Sequence, residues 1–314
     1  MTTSTLGLSR RGRPLGSSST RVRVLVLVAG LSTVALMVTV VGLVSDDRVI
    51  TGAPAWLKPA KFAVSIAVYC ATLAWLLTLV QGHPRLVRLV AWVTALALAL
   101  ELVLILAQVV RGTTSHFNTA TPLDARIFDA MGGLVALVFL GAVVTGVLLA
   151  RQRGLPAVLG SGIRGGVAVA VLGMAAAILM LVNRQYGDGG AHTVGAPDGG
   201  PGLPLTGWST EHGDLRVPHF VGLHALQALP LLALLLQRYA TRLTEGAQVR
   251  LVRLTAVAAA GLVVLLAVEA ERGLPLLAPD ATVVTAGLVG LAVLGGLGAL
   301  VVVRDVRGQR GLRS

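Results

Sequence analysis

Cysteine, lysine, aromatic side chains and charge are all scarce in this chain of 314 residues. The single cysteine, Cys70, excludes an intrachain disulfide and a cysteine-based metal cluster. It sits in an apolar run and reads as a small buried hydrophobe. Charged residues make up 13% of the chain, where a soluble domain has about 25%. Of the 26 basic residues only two, Lys58 and Lys61, are lysine. That bias fits codon usage in a GC-rich genome and not phosphate recognition. HExxH, GxSxG, a P-loop and a Cys pair are all missing, which removes the familiar hydrolase, zinc-protease and nucleotide signatures. The glycines around Asp198 form no dinucleotide fingerprint, because the pattern offers no βαβ unit. There is no heptad array and no repeat of about 20–50 residues.

What the chain has is apolar length. Hydrophobic residues reach 55% and the mean hydropathy is +0.82. Uncharged runs of about 20 residues recur, the length that crosses a bilayer as a helix. The pattern predicts an all-α, polytopic transmembrane bundle of eight spans, at 24–44, 60–80, 89–110, 124–150, 165–182, 218–236, 251–268 and 281–303. Residues 1–23 and 304–314 read as basic cytoplasmic tails, the first of them disordered, and 183–217 as a long extracytoplasmic loop. Connections that long are uncommon unless functional or disordered. Residues 24–44 are long for a signal-peptide core, and Ala53-Pro54-Ala55 is a candidate cleavage motif. The run reads as a retained first span. Thr121, Pro122 and Asp124 have the order of a helix start, with Asp124 as the reciprocal partner at the third helical position. Asp280 is the N-cap expected for the eighth span. The glycines of that span, Gly287, Gly290, Gly295, Gly296 and Gly298, predict close helix approach.

The net charge of +12 does not indicate a nucleic-acid partner, because the basic residues sit in short segments between apolar runs. Alternate flanking segments hold 18 and 8 Lys plus Arg. The positive-inside rule therefore puts both termini in the cytoplasm. Eleven of the 14 acidic residues and five of the six histidines then fall on the outer side. That asymmetry points to a site at the outer leaflet.

The chemistry expected there starts from Glu101. It lies ten residues before Arg111, about 15 Å along a helix, near mid-membrane. Gln108 is two turns further along the same face. On the sixth span His224 and Gln227 share a face, which predicts that they meet the Glu101–Gln108 stripe. His219 and His224 are five residues apart, about 140° around the helix, so they are not the i, i+4 chelate of a zinc helix. Ser115 and His116 are neighbours in sequence, which alone gives no nucleophile–base geometry. Three chemistries fit. A zinc, iron or manganese ion would draw on His116, Asp124, Asp129, His219, His224 and Glu101. A haem would be held by two histidines from His116, His219 and His224. An ion network without cofactor would join Glu101, Arg111, Asp129, Arg184 and His224. Catalytic candidates are Glu101, His116, Asp129 and His224. Ligand-binding candidates are Gln108, Arg111, Asp198, Asp214, Arg216 and Gln227.

Several segments carry a resemblance. They are Trp56-Leu57-Lys58-Pro59-Ala60-Lys61-Phe62, Ser115-His116-Phe117-Asn118, the stretch from His192 to Pro204 with Trp208-Ser209, and the stretch from Gly213 to Gln227. Together they resemble an uncharacterised family of bacterial polytopic (multi-pass) inner-membrane proteins, over roughly residues 50–240. The resemblance implies a bacterial cytoplasmic membrane protein and implies no reaction. It also implies that the outer connector, the long loop and the start of the sixth span belong to one site. The chain is thus expected to have the lipid bilayer as its surroundings and a metal, haem, small solute or lipid as its ligand. A structural or accessory role is the third reading.

Overall fold

The computed structural model describes residues 16–311, with side chains for residues 21–310. Eight helices follow one another: α1 (Gly16–Ser45), α2 (Leu57–Leu79), α3 (Pro84–Val110), α4 (Pro122–Arg151), α5 (Ala157–Val182), α6 (Arg216–Tyr239), α7 (Glu245–Glu271) and α8 (Ala281–Gly311). All eight are long and apolar enough to cross a membrane. The chain is therefore a helical, multi-pass bundle. Helix ends extend past the predicted spans because a helix continues into polar sequence until a breaker or cap stops it. Residues 16–23 already belong to α1, and 304–311 continue α8. Residues 1–15 and 312–314 of the two predicted tails lie outside the described residues.

Local chemistry sets the boundaries. Thr121 Oγ1 accepts the Asp124 N–H at 3.2 Å, with Pro122 as the first helical residue of α4. Asp280 Oδ1 accepts the Val283 N–H at 2.9 Å at the start of α8. Thr244 caps α7 through the Ala247 N–H at 3.3 Å. Each cap fills a backbone donor that the first turn leaves without a partner.

The main core lies where α1, α2, α3 and α5 meet, around Leu25, Cys70, Leu73, Leu77, Ala91 and Ile163. Helices α5 and α6 approach most closely. A Cβ placed on Gly222 would lie 2.4 Å from the Gly173 Cα, and one on Gly162 would lie 2.6 Å from the Leu229 carbonyl oxygen. Small residues allow this backbone contact, which drives helix association in lipid through packing. In α8 only ordinary side-chain contacts are found: a Cβ on Gly287 or Gly298 would lie 3.5 Å from Leu265 or 3.8 Å from Leu251 of α7. A Cβ on Gly290, Gly295 or Gly296 would meet no neighbouring element within 4 Å, because α8 packs chiefly on α7 at the edge of the bundle.

One end of the bundle is capped. Strands β1 (Val49–Ile50) and β2 (Ala53–Pro54) form a hairpin there, and β3 (Thr193–Val194) pairs antiparallel with β4 (Gly213–Asp214). The long segment between α5 and α6 is thus folded into tight turns, such as Gly207 N–H to the Leu203 carbonyl at 2.8 Å. It touches the hairpin where Gly52 meets the Gly199 carbonyl, and α7 where Gly213 meets the Ala270 carbonyl. The opposite end carries the C-terminal part of α8, tied to the α6–α7 turn by Gln309 Nε2 to the Arg242 carbonyl at 2.9 Å.

Candidate functional site

The segment joining α3 to α4 shapes the site. Asp124, buried at the start of α4, takes the Thr121 hydroxyl at 2.6 Å, Gln108 Nε2 at 3.0 Å and Arg111 Nη1 at 2.7 Å. Arg111 also donates to Gln108 Oε1. All these groups are committed to one another, so Gln108, Arg111 and Asp124 form a structural knot at the top of α3. The Asp124 carboxylate accepts the cap hydroxyl instead of reaching back to the backbone as a reciprocal cap would.

Beyond the knot the connector turns back into the bundle. Gln108 Nε2 reaches the Thr114 carbonyl at 3.3 Å, and Asn118 Nδ2 donates to the same carbonyl at 2.9 Å. Phe117 adopts a left-handed backbone (φ +57°). Ser115 is buried, and its hydroxyl lies 3.0 Å from His116 Nδ1. His116 Nε2 comes to 3.4 Å from Glu101 Oε1, without hydrogen-bond geometry. Glu101 is seven residues, about 10 Å, deeper along α3 than Gln108. Irregular backbone at such depth needs protein around it to satisfy its polar groups, and here the helices and the folded cap surround it.

Glu101 is 2% exposed, and neither carboxyl oxygen has a hydrogen-bond partner. Burial, with the charges of Lys58 and His192 adding, holds His116 well below the ordinary imidazole range. The ring is therefore neutral near pH 7, and its approach to Glu101 is not a charge pair. The ring also packs on Phe62 of α2, centroid to centroid 5.4 Å. From the same helix, Lys61 Nζ donates to the Thr206 carbonyl of the cap at 2.7 Å. Lys58 makes no hydrogen bond or ion pair among the described residues, although Glu101, Asp198 and Arg216 all lie within its electrostatic reach.

Two acidic residues hold the cap together. Asp198 accepts the His192 N–H at 3.1 Å, the Thr193 N–H at 2.9 Å and His192 Nδ1 at 2.5 Å. Burial lowers the His192 pKa despite this carboxylate. Burial alone would raise Asp198, but the His192 contact and the backbone donors outweigh it and hold the carboxyl below its usual range. Asp214 is 2% exposed. It takes Arg216 through two contacts, at 2.9 and 2.5 Å, and the Ser209 N–H at 2.8 Å. Arg216 Nη2 also donates to the Gly207 carbonyl at 2.6 Å.

Other sequence candidates stand apart from Glu101. His224 is exposed on the outside of α6, its Nδ1 2.8 Å from the Phe220 carbonyl and its ring against Phe220. Gln227 donates to Thr72 Oγ1 of α2 at 3.1 Å. The pair therefore does not meet the Glu101–Gln108 stripe, because that face of α6 turns to α2 and to the bundle surface. His219 Nδ1 is 2.8 Å from the Gly173 carbonyl. Asp129 and Arg184 are exposed, so the five-member ion network does not assemble. Among the described residues no three His, Cys, Asp or Glu side chains gather as a metal site. His116 lies inside beside Glu101 and His224 outside, so these two do not face a common haem slot. What sequence reasoning missed was Lys58, which was named no candidate, and the pairing of His192 with Asp198. For His192 and Asp198 the available signal was the grouping of the long loop with the outer connector by resemblance; the segment of Lys58 was not in that grouping. Comparison with protein families, with curated proteins and with solved structures finds no match for this chain.

Proposed function

We propose that the chain is a multi-pass protein of the bacterial cytoplasmic membrane, a member of the family it resembles, that binds a small polar solute or a lipid headgroup at Lys58, Glu101 and His116. One observation carries the reading: the buried Glu101 carboxyl has no partner for either oxygen. A carboxyl so placed costs stability unless something fills it, and ionisable groups at membrane depth are retained for function. A binder fits better than a metal or haem protein, because among the described residues no three His, Cys, Asp or Glu side chains gather, Asp124 is fully committed, and His224 lies on the outside of the bundle away from His116. The capped end is outside and both termini are cytoplasmic, an orientation supported by the 18-to-8 division of basic residues.

The test is purification in mild detergent followed by identification of co-purifying small molecules and lipids. A species enriched with the wild type and lost from Lys58→Gln and Glu101→Gln supports the site. A Soret band, or stoichiometric zinc, iron or manganese, overturns the reading in favour of a cofactor. For orientation, a periplasmic reporter fused after Gly200 should be active. Activity from a fusion after Glu245 would reverse the assignment.

A further inference from the structure

The charges at this site are unevenly matched, and the mismatch defines a ligand. Three carboxylates lie within electrostatic reach of the lysines of α2, Asp198 and Glu101 of Lys58 and Asp214 of Lys61. Asp198 is filled by the His192 ring and by the backbone N–H groups of His192 and Thr193. Asp214 is filled by Arg216 and the Ser209 N–H. Glu101 alone is uncommitted. On the cationic side, Lys61 is held by the Thr206 carbonyl and Arg216 by Asp214 and the Gly207 carbonyl. Among the described residues Lys58 makes no hydrogen bond or ion pair, with Glu101 or any other group. His116, whose Nε2 is 3.4 Å from Glu101 Oε1, is an imidazole that already has the Ser115 hydroxyl at Nδ1.

Lys58 lies one helical turn before Phe62, whose ring packs on His116 at 5.4 Å, and His116 Nε2 is 3.4 Å from Glu101 Oε1, so the ammonium and the carboxyl flank the same imidazole without closing on each other. A purely anionic ligand would pair with Lys58 and leave the buried Glu101 carboxyl unfilled, and a purely cationic one would leave the half-buried Lys58 without a counter-charge. A ligand with both charges leaves neither. Resting on the binding site proposed above, we infer that its ligand is a small zwitterion, with its ammonium on Glu101 and its oxyanion on Lys58. Charge-assisted hydrogen bonds at both ends make this the best-matched occupant. The ethanolamine phosphate group has this chemistry, whether free in solution or as a phospholipid headgroup.

Four probes on the wild-type protein in detergent test the inference by thermal shift and calorimetric titration: phosphoethanolamine, an ethanolamine phospholipid in mixed micelles, ethanolamine alone and inorganic phosphate alone. The zwitterions should bind at least tenfold more tightly than either fragment. Preference for the phospholipid over phosphoethanolamine assigns the lipid source, and the reverse assigns a free solute. Glu101→Gln should abolish the advantage over phosphate, and Lys58→Gln the advantage over ethanolamine. If phosphate or ethanolamine alone binds as tightly as the zwitterions, the inference is wrong and the binding site survives. If no probe binds while another ligand co-purifies in a manner dependent on Lys58 and Glu101, the zwitterion is again wrong. If no probe binds and nothing co-purifies, both fall.

Discussion

His116 Nε2 stands 3.4 Å from Glu101 Oε1, although Glu101 belongs to the middle of α3 and His116 to the connector beyond its end. The connector therefore folds back into the bundle and delivers an imidazole to a carboxyl that no helix neighbour satisfies. Leaving that carboxyl without a partner should weaken the ligand-free protein. Glu101→Met keeps the volume and removes the unfilled polar group, so it should raise stability by about 1–3 kcal/mol. Glu101→Ala should lower it, because the side chain is buried and a cavity remains. Thermal unfolding of both variants in detergent without ligand checks the pair of signs. A fall in stability for Glu101→Met would mean that the carboxyl is already satisfied.

Asp214 and Arg216 hold the cap by a buried ion pair. Asp214→Ala removes the acceptor of Arg216 Nε and of the Ser209 N–H and leaves the guanidinium with the Gly207 carbonyl. Removing one partner of a buried pair costs about 3–5 kcal/mol. The loss should appear as faster hydrogen exchange in residues 201–215, with the spans between α1 and α4 unaffected. Equal loosening throughout the chain would show that the cap does not unfold on its own.

Acid should loosen the same cap through His192 and Asp198. Both groups have folded-state pKa values below their ordinary ones. A group with a lowered pKa contributes stability above its unfolded value and loses it as pH falls through the folded one. For His192 the loss begins below about pH 6.5, and for Asp198 below about pH 4. Each proton taken up on opening weakens the cap by up to about tenfold per pH unit. Protection factors in residues 191–199, measured between pH 7.5 and 5, should therefore fall. In Asp198→Asn they should be low across the whole range.

The spans and their caps were legible because they depend on local sequence. Apolar length fixes a span, and Thr121 and Asp280 carry their cap chemistry with them. Partner choice was less legible. Helical spacing correctly gives His224 and Gln227 a shared side of α6, but spacing names no neighbour, and that side meets Thr72 and the bundle surface. The site itself depends on a connector that turns inward and on a long Gly- and Pro-rich segment that folds. Neither has a periodicity to read. Nothing in the local sequence singles out Lys58 from Lys61, and its unpaired ammonium becomes meaningful once Asp198 and Asp214 are seen to be occupied.

The glycines of α5, α6 and α8 make a final contrast. Gly173 and Gly222 sit where two backbones touch, so Gly222→Ala drives a methyl to 2.4 Å from the Gly173 Cα. The helices must separate, at a cost of about 1–3 kcal/mol for overpacking. Gly173→Ala meets the same backbone from the other side, at 2.6 Å, and the double variant should not restore stability. Gly295→Ala and Gly296→Ala meet nothing within 4 Å. There the gain in helix propensity, about 1 kcal/mol for each glycine replaced, is unopposed and stability should rise. Thermal unfolding in detergent orders the variants: the α8 substitutions above wild type, those of α5 and α6 below it. A loss from the α8 substitutions would reveal a close contact on the open side of α8.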